Sequence, residues 1–195
     1  FMSQERSRVM IDKVYTHETM QRIGKYAEIY PHLIDTGNLK EHKEYLEDVE
    51  IIFATWGMPA LSDEDIDQYL PHLKAVFYAA GSVQHFAGPF LNKGIIIVSA
   101  SAANAVPVAE YTLAQILLAN KGFFQNAGKA KKDYNSAREY SQAFTGNYSV
   151  KVGILGAGTI GTKVIELLRP FNIEVMVYDP FLTDERAEKL GVKKS

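Results

Sequence analysis

The chain has no cysteine among its 195 residues. That excludes disulfide cross-links, thiolate nucleophiles and cysteine-ligated metals, and it fits a reducing, cytoplasmic setting. Charge of neither sign dominates: 21 Lys and Arg stand against 23 Asp and Glu, for a net charge of −2. Such a balance offers no electrostatic case for a nucleic-acid partner or an anionic membrane surface. Long uncharged apolar runs are missing too. The best stretch, 105–119, carries Pro107 and Glu110, so no membrane span is expected. The amino-terminal residues lack the apolar centre of a signal peptide. No internal repeat or low-complexity tract stands out. What is present is a hydrophobic fraction of 47%, enough for a real core in one domain or two small ones.

The stretch from Val150 to Pro180 organises the rest. An apolar, β-branched run leads into Gly156-Ala157-Gly158-Thr159-Ile160-Gly161. Ile160, Val164, Leu168 and Phe171 then recur at helical spacing. Val175 to Tyr178 forms a second apolar strand with Asp179 at its end, 18 residues beyond Gly161. A lone G-x-G-x-x-G says little; strand, helix, strand and acid in this order say much more. Gly156 permits the tight turn, Gly158 lets a pyrophosphate approach the backbone, and Gly161 permits close packing of helix and strand. The amides of Thr159 and Ile160 open a helix, where unpaired N–H groups and the helix dipole favour an anion. Asp179 can accept hydrogen bonds from an adenosine ribose and repels a 2′-phosphate. That favours NAD over NADP, although Arg186 is close enough in sequence to leave NADP open. A Walker loop is excluded, because Thr162 rather than Lys follows the last glycine. The plain alternative is a βαβ turn with structural glycines.

Upstream, Val9–Val14 reads as a strand, and Thr16 as the cap of a helix running to about Tyr26. Glu28–Tyr30 reads as a weak strand, Leu39–Leu46 as a charged helix and Val49–Thr55 as a buried strand. Ser62 and Asp65 form a capping box opening a helix to about Leu70. Ala75–Ala80 and Ile95–Val98 are further strands. The alternation predicts a mostly parallel sheet covered on both faces. Residues 1–103 are therefore expected to form one α/β domain and 104–195 a second. Ala105–Phe124 is expected as a helix with Pro107 in its first turn. Its apolar residues spread round most of its circumference, so burial on several sides is expected. Either it sits at a domain junction facing a second subunit, or it is a core helix of a monomer. Residues 125–147 read as a solvated helix and loop, with a basic binding patch as the alternative.

Several stretches together resemble the D-isomer-specific 2-hydroxyacid dehydrogenases. They are 79–83, 101–105, 108–113 and the glycine motif through Asp179-Pro180, in matching order. The resemblance implies a flavodoxin-like substrate domain and a Rossmann domain binding NAD. It implies a small 2-hydroxy or 2-oxo acid as substrate, while the homodimer expected through the helix at 107–121 follows from that helix's apolar circumference. By the same resemblance, backbone amides of Gly81 and Ser82 hold the substrate carboxylate, and Ser82 also reaches the cofactor. Asn104 matches a hinge residue near both ligands, with a helix-start Asn as the plain alternative. Trp56 matches a second substrate-side loop, where it walls a pocket or lies in the core. Gly156, Gly158, Thr159, Ile160, Gly161 and Asp179 match the cofactor contacts.

The family's catalytic Arg, Glu and His lie well beyond the ribose-binding acid, and this chain ends 16 residues after Asp179. The reading is therefore of an incomplete Rossmann domain, inactive by itself, in which no residue is assigned a catalytic or metal-binding role. Of the five histidines only His85 lies near the Gly81–Ser82 loop, and nothing in the pattern points it inward. The alternative is a non-enzymatic, NAD-responsive protein of corepressor type on the same fold.

Overall fold

The computed structural model describes residues 1–4 and 9–195. The chain divides into two compact units, Phe1–Asn104 and Ala105–Ser195. The first unit holds helices α1 (Val9–Val14), α2 (His17–Ile23) and α3 (Lys43–Leu46), then β1 (Ile51–Ala54), α4 (Asp63–Tyr69), β2 (Ala75–Tyr78), α5 (Ala87–Asn92) and β3 (Ile96–Ser99). Helix α6 (Ser101–Asn120) carries the chain into the second unit. That unit continues with α7 (Phe123–Ala130), α8 (Tyr134–Ser141), β4 (Val150–Leu155), α9 (Thr159–Leu168), β5 (Ile173–Tyr178), α10 (Asp184–Leu190) and β6 (Lys193–Lys194).

In the first unit β1, β2 and β3 lie side by side, all parallel, with Ile52 opposite Val76 and Val76 opposite Ile97. Two parallel bridges, Met2 to Ala54 and Met2 to Ile34, widen the sheet. In chain order the lateral arrangement is then 2-1-3-4-5, the flavodoxin order. Alternation places Ile52, Ala54, Val76 and Tyr78 on one face, where they pack with Leu46, Ile66, Leu70, Phe86 and Phe90 of the covering helices. The other face is covered around Phe53, where Phe1 and Tyr15 pack at ring separations of 5.6 and 5.9 Å. Towards β3 it lies open, with Ile96 63% exposed.

The second sheet runs β4-β5-β6, also parallel, with Val152 opposite Val175 and Met176 opposite Lys193. This is one βαβαβ half of a doubly wound domain. One face packs on Ala109, Val164 and Leu168 from α6 and α9, and on Ala187 and Leu190 from α10. The opposite face is open, with Leu155 86% exposed. Coverage of both faces, expected from strand–helix alternation, is thus not seen among the described residues.

Other expectations need correction. Val9–Val14 is a helix, not a strand. Its apolar run is too short for periodicity to decide, and the sheet position is taken by the terminal residues. Met2 N–H donates to Phe53 O at 3.1 Å and Ile34 N–H to Phe1 O at 3.0 Å. No strand forms at Glu28–Tyr30; the chain pairs instead at Ile34. The helix expected from Leu39 starts only at Lys43. Upstream of it, Asp35 Oδ1 accepts from the Gly37 and Asn38 amides and holds a turn. Helix α6 begins at Ser101, so Pro107 lies inside it rather than in its first turn. Within the chain itself, only Ala105 and Ala109 of α6 are buried. Residues 125–147 hold most of α7 and α8 rather than one helix, with Lys129 Nζ 4.6 Å from the Tyr140 ring centroid. The caps at Thr16 and Ser62 form as expected, the latter as a reciprocal capping box.

Candidate functional site

Two corners at the carboxyl ends of strands hold the predicted residues. The first is the turn from β4 into α9. Gly156 has φ +90°, a conformation that costs a side-chain-bearing residue about 1–2 kcal/mol. A Cβ on Gly161 would stand 2.0 Å from Gly156 O, so the first turn of α9 lies directly against the turn. The close approach is thus to the turn's own carbonyl, with Ile154 of the strand next at 3.6 Å. Gly158 differs from both. It caps α9 in extended geometry with no side-chain cap, and a Cβ there would meet nothing within 4 Å. A side chain at Gly158 would therefore meet no protein atom, and the opening amides of α9 have no partner within the helix. The arrangement fits a diphosphate.

Asp179 closes the other side of this corner. Its Oδ2 accepts from Ala157 N–H at 2.6 Å and its Oδ1 from Phe181 N–H at 2.8 Å. The Ala157 amide, then the Phe181 amide and the Arg186 charge, hold the carboxyl below its ordinary range. A carboxylate has about four lone-pair positions, so two remain for a ribose diol. Arg186 reaches the same turn from α10. Its Nη2 donates to Ala157 O at 2.7 Å and to Thr162 Oγ1 at 3.2 Å. Ala157 is thus gripped through both of its backbone groups, by Asp179 on its N–H and by Arg186 on its carbonyl. The sequence pattern singled out Asp179 but gave Arg186 only by proximity. What it lacked was α10, whose cap at Thr183 accepts from the Arg186 amide.

The second corner follows β2. Ser99 Oγ of the adjacent strand donates to Ala80 O at 3.1 Å and Gly81 O at 2.6 Å, fixing the loop. A Cβ on Gly81 would stand 3.2 Å from Asn104 Nδ2, so these two predicted residues are neighbours. Ser82 is exposed, and its Oγ accepts from Gln84 N–H at 3.4 Å. Trp56, beyond the end of β1, is 45% exposed, which removes the core alternative for it. Beneath it Thr55 is fully buried, with Oγ1 donating to Ala79 O at 3.4 Å. His85 is exposed, its ring set edge-on to Phe86 at 5.0 Å. A cavity of about 910 Å³ in this unit is lined by Ile23, Tyr30, His42, Tyr45 and Val49. It opens at the amino end of β1 and includes none of the predicted residues.

Parallel strands, a glycine turn with an open anion-receptive face, and an acid at the end of the next strand define a Rossmann-type nucleotide-binding half-domain. Comparison with known proteins extends this class to a family. Residues 113–195 match the D-isomer specific 2-hydroxyacid dehydrogenase, NAD binding domain. The D-3-phosphoglycerate dehydrogenase of Bacillus subtilis (strain 168) is 33% identical over 132 residues, which is 66% of this chain and 24% of that protein. The phosphoglycerate oxidoreductase of Rhizobium etli has a TM-score of 0.69 at 22% identity, over 100% of this chain and 59% of that one. The D-lactate dehydrogenase of Aquifex aeolicus, complexed with NAD and lactic acid, has a TM-score of 0.63 at 20% identity, over 100% and 55%. Residues 113–195 thus match the NAD-binding domain of the D-isomer-specific 2-hydroxyacid dehydrogenases, and the cofactor that this match names is NAD. The chain spans about a quarter of the curated relative's length and less than two thirds of either solved one. Among the described residues no helix is long and apolar enough to cross a membrane.

Proposed function

We propose that the chain is the nucleotide-receiving and acid-receiving part of an NAD-dependent 2-hydroxyacid dehydrogenase. The reaction moves a hydride between C4 of the nicotinamide and C2 of a small acid. A 2-oxo acid, NADH and a proton give a 2-hydroxy acid and NAD⁺. The cofactor supplies the hydride; the protein binds, orients and stabilises charge. Residues 1–103 serve the acid and 104–195 the dinucleotide.

The observation that carries this reading is the open face of Gly158 beside the pinned carboxylate of Asp179. The diphosphate lies on the amides of Thr159 and Ile160, and the adenosine ribose on Asp179. Gly156 and Gly161 keep that surface in shape. In the first unit the amides of Gly81 and Ser82 receive the substrate carboxylate, since successive amides make a small anion-binding concavity. Asn104 stands beside Gly81, Ser82 also touches the cofactor and Trp56 walls the acid's side. A homodimer through residues 107–121 is part of the proposal, supported by the exposed apolar surface of Val108 and Tyr111 on α6. A cytoplasmic setting fits the absence of cysteine.

No group within residues 1–195 is assigned the proton transfer, so this polypeptide alone is expected to bind and not to turn over. The test is twofold: NADH titration by calorimetry, then NADH oxidation with glyoxylate, pyruvate or hydroxypyruvate. Binding without turnover is expected. Absence of NADH binding overturns the dinucleotide assignment, and turnover overturns the assignment of no acid–base group.

A further inference from the structure

The cavity of about 910 Å³ in the first unit has a chemistry of its own. Its size falls within the range of about 300–1,000 Å³ that small-molecule sites occupy. Its floor is apolar, with Ile34, Leu46 and Ile52 all buried. Its wall is aromatic, and the rings are held by one another. Tyr30 stands at the centre of that wall. A hydrogen bond of 2.8 Å joins its hydroxyl to His42 Nδ1, and Tyr45 stacks on its ring at 5.0 Å. The His32 ring lies 5.3 Å from that of Tyr30 and 5.2 Å from that of His42. Rings fixed in this way lose little freedom when a ligand meets them. Tyr45 is nonetheless 61% exposed, so its ring remains within reach of a ligand.

Charge at this cavity is one-sided. Four carboxylates line it, those of Glu28, Glu44, Asp48 and Glu50, and among the described residues no lysine or arginine does. Glu50 is paired with Lys74, which lies outside the lining. Glu28, Glu44 and Asp48 have no ion-pair partner among the described residues. Uncompensated carboxylates attract positive charge, and so do the faces of tyrosine rings. A bare metal ion does not fit, because no group of three His, Cys, Asp or Glu among the described residues could hold one. An organic cation suits every surface: its apolar body meets the floor and its charge meets the rings and carboxylates. We infer that the cavity is a binding site for a small organic cation, a primary or quaternary ammonium group carried on an apolar or aromatic body. Its charge rests against Tyr45, with Glu44 and Asp48 as counter-charges. The site includes no residue of either strand-end corner and does not depend on the dinucleotide reading.

The experiment is an NMR titration of the isotope-labelled full chain with 2-phenylethylammonium and with benzyltrimethylammonium, and with 2-phenylethanol as the uncharged control. Saturable shifts of the Tyr26, Tyr30, Tyr45 and Val49 amides are expected with at least one cation. That cation should bind about tenfold more tightly than the alcohol. Tyr45→Leu keeps apolar bulk but removes the ring; it should weaken the cation about fivefold and leave the alcohol within about twofold. Tyr45→Phe keeps the ring face and should bind as the wild type does. Glu44→Gln combined with Asp48→Asn should weaken the cation about threefold, an effect that shrinks as salt is added. This charge variant keeps the test open if Tyr45→Leu does not fold. Equal affinity for the cations and the alcohol overturns the inference. So does the absence of shifts at these amides with both cations at millimolar concentration. Binding that neither Tyr45→Leu nor the charge variant weakens takes place elsewhere and overturns it as well. None of these failures touches the NADH titration, which tests the dinucleotide reading separately.

Discussion

The corners that end β2 and β4 are built on different principles. At the β4 corner two glycines are obligatory for the backbone: Gly156 by its positive φ, and Gly161 by the 2.0 Å that a Cβ would leave to Gly156 O. The third, Gly158, is dispensable to the fold and opens outward. At the β2 corner Gly81 has no positive φ, and a Cβ there would press on a side-chain amide, Asn104 Nδ2, at 3.2 Å. That loop is set by a hydroxyl, Ser99 Oγ, bonded to two of its carbonyls. One corner is thus defined by steric necessity and the other by hydrogen bonds from a neighbouring strand. Sterically defined corners write themselves into sequence as spaced glycines; hydrogen-bonded ones do not.

Four substitutions test this difference, from the largest expected effect down. Gly161→Ala drives a methyl group into a backbone carbonyl that cannot rotate away. A loss of about 3 kcal/mol is expected, the upper end of ordinary overpacking, read by thermal or urea denaturation of the second unit. A loss under about 1 kcal/mol would show that the turn yields and that its glycine is not obligatory.

Tyr15→Phe tests the hydrogen-bonded unit at its strongest point. The Tyr15 hydroxyl donates to Ala54 O at 2.9 Å and Phe77 O at 3.2 Å across β1 and β2. Its loss is expected to cost about 1–2 kcal/mol. Burial also pushes the phenol from 10.0 up to about 12. The unfolded chain ionises this group near 10.0, so its contribution is complete below that pH and is lost as pH rises towards 12. Denaturation midpoints of wild type and Tyr15→Phe should converge across that window. Parallel curves would remove Tyr15 from the account.

Gly81→Ala is expected to change stability by less than about 0.5 kcal/mol, because the Asn104 amide can turn aside. A loss approaching that of Gly161→Ala would make the two corners alike and break the contrast. Gly158→Asp should leave stability unchanged or slightly raised. Its Cβ meets no protein atom, and Asp is among the best helix caps.

How much could be read beforehand follows from the same contrast. The βαβ unit, its glycines and Asp179 were legible, since each is a residue type at a spacing that backbone geometry requires. The caps at Thr16 and Ser62 were legible for the same reason. The sheet edge was not. Met2 enters the sheet through two isolated bridges, and three residues carry no period. Val9–Val14 reads as strand-like because Val9, Ile11 and Val14 are β-branched and apolar, yet only Ile11 is buried in the helix it forms. The start of α6 is not legible from Pro107, which suits a first helical turn, whereas six helical residues precede it. The grip of Arg186 on Ala157 joins residues 29 apart through a helix that the sequence reading did not assign. Contacts of that kind depend on packing and leave no local pattern.

Calorimetric titration of NADH into wild type and Gly158→Asp, with melting temperatures recorded for both, is the most direct test. A binding isotherm for the wild type and none for an equally stable variant is the predicted result. The same isotherm for both proteins, or none for either, would mean that no diphosphate rests on the open face of Gly158.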